Sequence, residues 1–509
     1  MSAIQINEQL VDEKLTKLEE ARSWSSRVIS KLETTIRAAD DFALFRINPL
    51  RFAKEKGMAE NEAIDLFLYA AKFGLFEMNW QLVCPVCCSV VESLRDLGGV
   101  HAHMVCNICS LEGVVDLDDY IHITFTLSPQ VRDLVFHHPE SLLAALPIEE
   151  YYFKYHLSQG IKPPLPGVSF ADALLSLTKA RSYIAPGERK SLEFDVTPGL
   201  MVALDLGDRT GATFFISGDP HSEAQIIPFQ VQAGRLKPLD RSLPPQEVKS
   251  GPVTFQYQQT GLLGSGKVIL EIENLMDRTC PVWVIHFPAD LKPPPPEFEP
   301  HLSGKRLVTT QTFRDLFRFE AAPGAEGLSV KDITFLFTDL KGSTAMYDQI
   351  GDPQAFYLVR QHFDTLERVV AKHSGATVKT IGDAVMAAFM TPVDAVQAAV
   401  EMLHEIEAFN QGITRKLILK IGVHKGHSIA VTLNDRLDYF GQTVNIASRV
   451  QGLADAGEVY ISQEVYASAD VPQALAGFEI QPSEADVKGV SEKIKVYKIT
   501  ESHEEHTHT

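Results

Sequence analysis

The sequence has no long hydrophobic run and no recognisable export signal. No stretch of its 509 residues approaches the roughly 18 uninterrupted apolar residues that a membrane-spanning helix needs. The N-terminal segment MSAIQINEQLVDEK also lacks the basic start and the apolar block of a secretory signal. These absences argue against the membrane and secreted classes of protein, and we expect a cytoplasmic location.

Positive charge is also scarce. The chain has 47 Lys and Arg against 66 Asp and Glu, which gives a formal charge of −19. An excess of negative charge opposes bulk electrostatic attraction to nucleic acid or to anionic lipid, so we expect neither as a partner. The remaining composition, with 45% hydrophobic and 22% charged residues, is that of a globular protein. At about 150 residues per domain, the length suggests roughly three or four domains.

Cysteine is rare, and most of it follows one pattern. Eighteen residues separate two Cys-x-x-Cys pairs, which are Cys84/Cys87 and Cys106/Cys109. This spacing is typical of a zinc ribbon, in which four thiolates surround one ion in a tetrahedron. We predict a structural Zn²⁺ site, because four cysteine ligands leave no position for water or substrate. The other two cysteines, Cys88 and Cys280, have no predicted role.

Before residue 81 the sequence predicts helices. Apolar residues at three- and four-residue spacing predict a single amphipathic helix over residues 1–39, docked on its own domain or, alternatively, dimerising as a coiled coil. Two short helices on either side of Gly57 follow, an arrangement typical of a winged helix. The charges of residues 41–80 are nearly balanced, which favours a structural or protein-contact role over DNA binding.

Further along, short alternating runs such as SLEFDV, ATFFIS and KVILEIEN predict an antiparallel β-sandwich. The run Pro293–Pro296 predicts an extended spacer that leads to a helix near Phe313–Phe317. The predicted organisation is, in chain order, an N-terminal helical and winged-helix-like segment (1–80), a zinc ribbon (81–126), a helical connector (127–167), a β-sandwich (168–290), a Pro-rich linker with a transducer helix (291–329), a C-terminal domain (330–500) and a disordered tail (501–509).

The first pattern with chemical meaning opens the C-terminal domain. A predicted strand, Ile333–Phe337, leads to Asp339 and then to the turn Gly342-Ser343-Thr344, which starts a helix. A carboxylate at a strand end can hold a hard divalent cation, and the N–H groups of such a turn can receive phosphate oxygens. A strand-end aspartate is also a common helix cap, so this pattern alone is compatible with both interpretations.

A second carboxylate, Asp383, lies in a Gly-Asp hairpin turn between two short predicted strands, 376–381 and 384–389. On its own, such a turn is usually only a turn. Two acidic side chains at strand ends of one compact domain, however, can converge on two Mg²⁺ or Mn²⁺ ions, as in phosphoryl-transfer sites.

A third pattern follows Gly441. Asn445 and Arg449 are four residues apart on a predicted helix and therefore share a face. An amide and a guanidinium on one face can orient a sugar and neutralise a phosphate. A surface Asn/Arg pair on an amphipathic helix is the alternative interpretation of this pattern by itself.

Together the three patterns resemble the catalytic domain of the class III adenylate and guanylate cyclases, over about Asp332 to Ile499. The resemblance implies an α+β, ferredoxin-like (βαββαβ) fold that acts as a homodimer, with the active site at the subunit interface and two Mg²⁺ or Mn²⁺ ions in each site. It also implies a role for each site residue: metal binding by Asp339 and Asp383, purine recognition by Lys379 and Asp438, ribose orientation by Asn445, transition-state stabilisation by Arg449, and contact with the terminal phosphates by Lys488.

The pair Lys379 and Asp438 indicates which purine is bound. A lysine donates to the ring nitrogen N1 of adenine, and an aspartate accepts from its 6-amino group. Guanine presents the opposite pattern there and would leave both side chains mispaired, which costs a few kcal/mol. Guanylate-specific relatives have Glu and Cys or Ser at these positions. The resemblance therefore implies an adenylate cyclase, a lyase that converts ATP to 3′,5′-cyclic AMP and pyrophosphate.

The region before residue 300 is similar to the upstream part of some bacterial soluble cyclases, which place a winged helix and a zinc ribbon ahead of the catalytic domain. This similarity implies regulation by a ligand or a protein at the N-terminal region. Two alternatives stay open: a guanylate cyclase, and a catalytically silent cyclase-like scaffold within a zinc-ribbon interaction protein. The intact set of metal, purine, ribose and phosphate residues favours the enzyme, because a scaffold gains nothing from keeping them.

Overall fold

The computed structural model places most of the chain in two compact units. The described residues are 6–100, 103–109, 111–114, 116–118, 120–232, 235–238, 246–250, 253–257, 260–291, 296–318, 327–411, 413, 416–433, 436–486 and 493–501. The N-terminal unit extends to Leu302 and the C-terminal unit starts at Ser303, with 96–100 and 116–119 also assigned to the latter. Residues 293–295 of the predicted proline spacer and residues 502–509 of the predicted tail lie outside the described residues. None of the described helices has both the length and the hydrophobicity needed to cross a membrane.

Four helices begin the N-terminal unit: α1 (Glu8–Ala21), α2 (Val28–Ala38), α3 (Pro49–Lys56) and α4 (Glu60–Lys72). The single helix predicted over residues 1–39 is wrong, because the chain is extended at Arg22 and left-handed at Arg27. Two contacts hold this break. Trp24 Nε1 donates to a carbonyl of α1 at 2.7 Å, and Glu62 accepts from the Ser25 N–H at 2.8 Å. The break lets α1 and α2 each bury an apolar face in the N-terminal unit.

The two helices predicted around Gly57 are confirmed. Asn48 caps α3 by accepting from the Leu50 N–H at 3.0 Å, and Pro49 occupies its first turn. Gly57 ends the helix with φ of 58°, a left-handed conformation in which a side chain would be strained.

The cysteine pairs lie on a group of short antiparallel strands. These are β1 (Phe76–Val83), β2 (Val90–Leu94), β3 (His103–Cys106), β4 (Leu111–Val114) and β5 (Ile121–Leu127). One sheet contains β5, β1 and β2 in that order, and β3 and β4 form a separate hairpin. The loop after β1 carries Cys84 and Cys87, whereas Cys106 ends β3 and Cys109 lies in the turn between β3 and β4.

Three helices and a second set of strands complete the N-terminal unit. The helices are α5 (Pro139–Ala145), α6 (Ile148–Tyr151), which continues as a π-helical turn over Tyr152–His156, and α7 (Phe170–Ser176). The strands are β6 (Thr178–Ile184), β7 (Arg189–Val196), β8 (Gly199–Asp205), β9 (Thr210–Pro220), β10 (Gln225–Gln232), β11 (Arg235–Pro238), β12 (Gln246–Ser250), β13 (Val253–Tyr257), β14 (Gly261–Asn274) and β15 (Cys280–Pro288).

Apart from β12 and β13, these strands form two sheets that are joined through β14 around one core. The predicted antiparallel order is only partly correct. The long strand β14 lies parallel to both β9 and β10. Its first residues pair with β9, and the residues after Gly266, whose φ is 122°, pair with β7 and β10. Alternating hydrophobicity is the same for parallel and antiparallel strands with one buried face, so the sequence pattern does not distinguish them. Apolar side chains of both sheets, including Phe214 and Phe229, share a single buried cluster.

One predicted sandwich strand belongs to the cysteine region instead. Within the run PVTFQYQ, residues Val253–Tyr257 form β13, and β13 pairs antiparallel with β4 through Gln256 opposite Glu112 and Tyr257 opposite Leu111. The resulting sheet has the order β12-β13-β4-β3. The assignment of this run to the sandwich is therefore wrong, because its partner is a hairpin far away in the sequence.

The C-terminal unit contains a larger sheet with helices. After the two-residue strand β16 (Leu302–Ser303), the elements are α8 (Gly304–Val308), α9 (Gln311–Leu316), β17 (Leu328–Leu340), α10 (Ser343–Ile350), α11 (Asp352–Lys372), β18 (Ala376–Ile381), β19 (Ala384–Phe389), α12 (Pro392–Asn410), β20 (Leu419–Leu433), β21 (Arg436–Phe440), α13 (Gln442–Gln451), β22 (Val459–Ser462), α14 (Gln463–Tyr466), α15 (Val471–Ala474), β23 (Phe478–Ala485) and β24 (Ile494–Glu501).

The βαββαβ order predicted for this unit is confirmed. The sheet runs β18-β19-β17-β20-β22-β24-β23, with β21 paired to β20. In its first four strands, β17 lies between β19 and β20 and is antiparallel to both, which is the ferredoxin-like arrangement. Apolar residues of α11, α12 and the central strands form one buried core. This core fixes the strand ends on which the candidate site is built.

Candidate active site

Asp339 lies at the end of β17, as predicted. It stands opposite Lys420 of β20, and Lys420 Nζ is 3.1 Å from Asp339 Oδ2. About a third of the Asp339 side chain is exposed (35%), so the carboxylate is open to a ligand from solvent. Lys420 was not among the predicted site residues. Nothing in the run KIGVHKG marks this lysine, because its role depends on a cross-strand neighbour about 80 residues away in the sequence.

The predicted turn after Asp339 leads directly into α10. Gly342 is left-handed with φ of 73°, and α10 begins at Ser343. The N–H groups of Ser343 and Thr344 lie in the first turn of this helix, where no intrahelical acceptor exists. The three turn residues are therefore arranged as a helix N-terminus that suits a phosphate oxygen.

Asp383 lies in the turn between β18 and β19, at the same sheet edge as Asp339. Phe337 pairs with Met386, and continuing that register places Asp339 opposite Ala384, next to Asp383. The Val385 N–H donates to Thr338 Oγ1 at 3.0 Å and ties the two strand ends together. The sequence prediction that the two carboxylates share one strand-end edge agrees with this register.

One oxygen of Asp383 is buried without a partner. Among the described residues, Asp383 Oδ2 has no hydrogen bond although it is shielded from solvent. A buried carboxylate oxygen left unpaired is costly, and a divalent cation would satisfy it. Oxygen donors from two aspartates are also the ligands that Mg²⁺ and Mn²⁺ prefer. The residues present therefore fit the predicted metal ions.

Lys379 and Asp438 form an ion pair. Lys379 Nζ lies 2.5 Å from Asp438 Oδ2, and Asp438 Oδ1 accepts from the Tyr439 N–H at 2.8 Å. The Asp438 side chain is nearly buried (8% exposed), whereas the Lys379 side chain is 38% exposed. The structure thus brings together two residues that lie 59 positions apart in the sequence. Their donor and acceptor atoms are adjacent, as purine recognition requires.

Asn445 and Arg449 lie on the outer face of α13. Ile446, Ala447 and Val450 on its other side are buried. Asn445 is exposed and Arg449 is half-buried. Within the part of the chain that the structure describes, neither side chain forms a hydrogen bond or an ion pair, so both are available to a ligand or a second copy of the chain. The remaining predicted residue, Lys488, lies outside the described residues.

The four predicted zinc ligands converge in the N-terminal unit. Their Sγ atoms all lie within 4.8 Å of one another. The Sγ atoms of Cys84 and Cys109 are 3.6 Å apart, and those of Cys87 and Cys106 are also 3.6 Å apart. A tetrahedral ion with Zn–S bonds of about 2.3 Å places its ligands about 3.8 Å apart, so the cluster has the dimensions of such a site. Hydrogen bonds from the neighbouring thiols hold the pKa of Cys87 well below its usual value.

Two family models together match nearly the whole chain. Residues 11–315 match a family model described as a family of unknown function (DUF5939). Residues 327–501 match the model of the adenylate and guanylate cyclase catalytic domain. The first match ends within α9, and the second match begins after that helix.

Individual relatives match about a third of the chain or less. The adenylate cyclase of Anabaena cylindrica is 28% identical over 188 residues, 34% of this chain and 37% of the relative. The adenylate cyclase of Lachancea kluyveri is 31% identical over 154 residues, 26% of this chain and 8% of the relative. The receptor-type guanylate cyclase Gyc76C of Drosophila melanogaster is 28% identical over 160 residues, 29% of this chain and 10% of the relative. The chain therefore spans much less than two thirds of these relatives.

A solved structure also matches about a third of the chain. The adenylyl cyclase CyaB from P. aeruginosa is 25% identical, with a TM-score of 0.31, and the match covers 35% of this chain and 98% of that one.

Proposed function

We propose that this chain, which belongs to the DUF5939 family and carries an adenylate and guanylate cyclase catalytic domain in its C-terminal part, converts ATP to 3′,5′-cyclic AMP and pyrophosphate. We choose ATP over GTP as the substrate because Lys379 and Asp438 are in contact. Several of the relatives are adenylate cyclases and others are guanylate cyclases, so the purine is argued from these two side chains.

The purine argument is one of donors and acceptors. In the proposed complex, Lys379 donates to adenine N1 and Asp438 accepts from the 6-amino group. The near burial of Asp438 makes a mismatch expensive, because a guanine carbonyl there would face a carboxylate with little water to intervene. The same two side chains reject guanine through this mispairing rather than through size.

The carboxylates of Asp339 and Asp383 would hold the divalent metal. Bound there, Mg²⁺ or Mn²⁺ would lower the pKa of the ribose 3′-hydroxyl and neutralise the leaving pyrophosphate. Asp383 contributes a buried oxygen that has no other partner among the described residues. Lys420, which contacts Asp339, adds positive charge beside the same carboxylate. The N-terminus of α10 would receive phosphate oxygens of the substrate.

Asn445 and Arg449 would complete the site from a second copy of the chain. Asn445 would orient the ribose, and Arg449 would stabilise the charge that develops on the transferring phosphoryl group. Their free, outward position on α13 supports this arrangement, since it leaves both side chains available to a partner. A homodimer would then contain two equivalent sites. The upstream region would bind the regulatory ligand or protein.

A side-by-side assay with ATP and GTP tests the proposed function. We expect purified full-length protein with Mn²⁺ to use ATP with a kcat/KM at least about 10²-fold above that for GTP, because guanine leaves Lys379 and the nearly buried Asp438 mispaired. The double variant Lys379→Glu/Asp438→Cys is expected to reverse this preference. Equal use of the two nucleotides by the wild type would contradict adenylate specificity. Turnover of neither would support the silent scaffold instead.

The cysteine cluster predicts a zinc content that can be measured. We expect about one zinc per chain after purification, and we expect Cys106→Ser to lower both the zinc content and the thermal midpoint, because one of four ligands is lost. Mass spectrometry of metals and thermal unfolding measure the two effects. Cys280→Ser is the matched control, since Cys280 is buried on β15 away from the cluster and should keep the zinc. Zinc-free wild-type protein with an unchanged midpoint in chelator would refute the metal site.

A further inference from the structure

The helix α9 contacts the backbones of two strands in the C-terminal unit. Gln311 Oε1 accepts from the Thr377 N–H of β18 at 2.7 Å. Arg314 Nη1 donates to the Leu437 carbonyl of β21 at 2.9 Å. The two side chains leave the same short helix in the direction of different strands, so α9 bridges them.

Each of these strands carries one member of the purine pair. Thr377 lies two residues before Lys379, and Leu437 immediately precedes Asp438. The two strands are not neighbours in the sheet, because β18 pairs with β19 and β21 pairs with β20. Among the described residues, no direct backbone ladder therefore joins β18 to β21; the two strands are connected only through β19, β17 and β20 of the same sheet. The spacing between Lys379 and Asp438 then depends on this indirect connection, on the ion pair itself and on what else bridges the two strands.

Local features make β18 dependent on Gln311. This strand is at the edge of the sheet, and its pairing with β19 shifts between Thr377 and Lys379. An edge N–H without a strand partner needs another acceptor, which Gln311 supplies. Gln311 Nε2 donates to Asp315 Oδ1 at 3.0 Å, and this bond orients the amide so that its oxygen faces Thr377.

Arg314 is held in place by several groups at once. Its Nε donates to the Val308 carbonyl at 3.0 Å, and its guanidinium carbon lies 5.4 Å from the ring centre of Tyr439. Tyr439 is buried, and its hydroxyl donates to the same Val308 carbonyl at 3.4 Å. Phe313, also buried, anchors the helix. An arginine fixed in this way transmits the position of α9 to the backbone next to Asp438.

We propose that Gln311 and Arg314 are positioning residues that set the distance and orientation of Lys379 relative to Asp438, so that movement of α9 changes purine recognition. This inference rests on the proposed function. The family match of the upstream region ends at residue 315, within α9, so a signal carried by that region reaches the purine pair through its own last residues. Regulation would then act on nucleotide selection and affinity, and would leave the carboxylate pair unchanged.

Kinetics of Arg314→Ala and Gln311→Ala test the inference. We expect Arg314→Ala to lower kcat/KM for ATP and the ATP-to-GTP ratio each by about 10-fold, mainly through KM, as the loss of a hydrogen bond from a charged group suggests. Gln311→Ala should change the same quantities in the same direction, by less. The Mn²⁺ concentration for half-maximal rate should stay within about twofold, because Asp339 and Asp383 are untouched. Arg314→Lys, which can still donate to Leu437, should recover part of the ratio.

Arg318→Ala is the matched control, because it removes an exposed arginine four residues further along the same segment. It should leave all these quantities unchanged. If Arg314→Ala lowers the thermal midpoint but leaves the ATP-to-GTP ratio unchanged, the inference is overturned and Arg314 has only a structural role. If Arg314→Ala does not fold, an unchanged ratio in Gln311→Ala overturns it in the same way. Wild-type turnover of neither nucleotide would overturn the proposed function and this inference with it. An ATP-to-GTP ratio that stays at the wild-type value in both variants overturns this inference alone.

Discussion

Asp383→Asn is expected to reduce cyclic AMP formation by about 10³-fold, because the substitution removes charge from the buried oxygen that is proposed to bind the metal while keeping the shape of the side chain. The amide is a weaker ligand for a hard divalent cation than a carboxylate. We expect the thermal midpoint to change little or to rise, since an unpaired buried charge disappears. The measurement is initial rate with ATP over a range of Mn²⁺ concentrations, together with thermal unfolding.

The control for Asp383→Asn is Asp364→Asn, which makes the same chemical change at an exposed position of α11. It should retain the wild-type rate. Direct Mn²⁺ binding, followed by electron paramagnetic resonance, separates loss of the metal from loss of another function of Asp383. An Asp383→Asn protein that keeps a rate within about tenfold of the wild type would be incompatible with metal catalysis at this carboxylate.

Two inactive variants are expected to restore activity when they share a dimer. Asp339→Ala and Arg449→Ala should each lower the rate by about 10²–10³-fold as homodimers. In a mixed dimer, one of the two sites combines an intact carboxylate pair with an intact Arg449 from the other copy. Random assortment makes half of the dimers mixed, so the unfractionated mixture should have about a quarter of the wild-type activity, and the isolated mixed dimer about half. Co-expression with two affinity tags, followed by assay of the doubly tagged dimer, measures the recovery.

The matched control for this mixture pairs Asp339→Ala with Asp383→Ala. Both changes then fall on the metal-binding half of the site, so every dimer lacks an intact carboxylate pair in both sites and no activity should return. Equal recovery in the two mixtures would contradict a shared site. Absence of recovery in the Asp339→Ala and Arg449→Ala mixture, with doubly tagged dimers present, would place the whole site within one copy of the chain.

Much of the candidate site could be predicted because its residues lie where local pattern decides the structure. Asp339 follows a strand, Asp383 lies in a glycine turn, and the spacing of Asn445 and Arg449 sets a helix face. Each of these placements depends on a few neighbouring residues. The four cysteines are similar, since the spacing within each pair already constrains the ligands.

The features that the sequence did not reveal depend on distant partners. The break between α1 and α2 is held in part by Glu62 of α4, which nothing near residue 25 indicates. Lys420 has a role only because β20 pairs with β17 at Asp339. Gln311 and Arg314 belong to a short helix whose pattern is ordinary, and their contacts involve strands some 60 and 120 residues away. The alternation of apolar and polar residues likewise does not reveal that β14 is parallel to β9 and β10.

The pairing of β13 with β4 has a practical consequence for dissecting the N-terminal unit. Paired residues such as Tyr257 and Leu111 lie almost 150 residues apart in the sequence. The hairpin formed by β3 and β4 can therefore pair with β13 only after most of that unit has been synthesised. A fragment that contains only the predicted zinc ribbon (81–126) would lack β13, so the edge of β4 would be unpaired and would promote aggregation. Expression boundaries should therefore keep residues 76–288 in one piece, and limited proteolysis of the intact chain should release this block undivided.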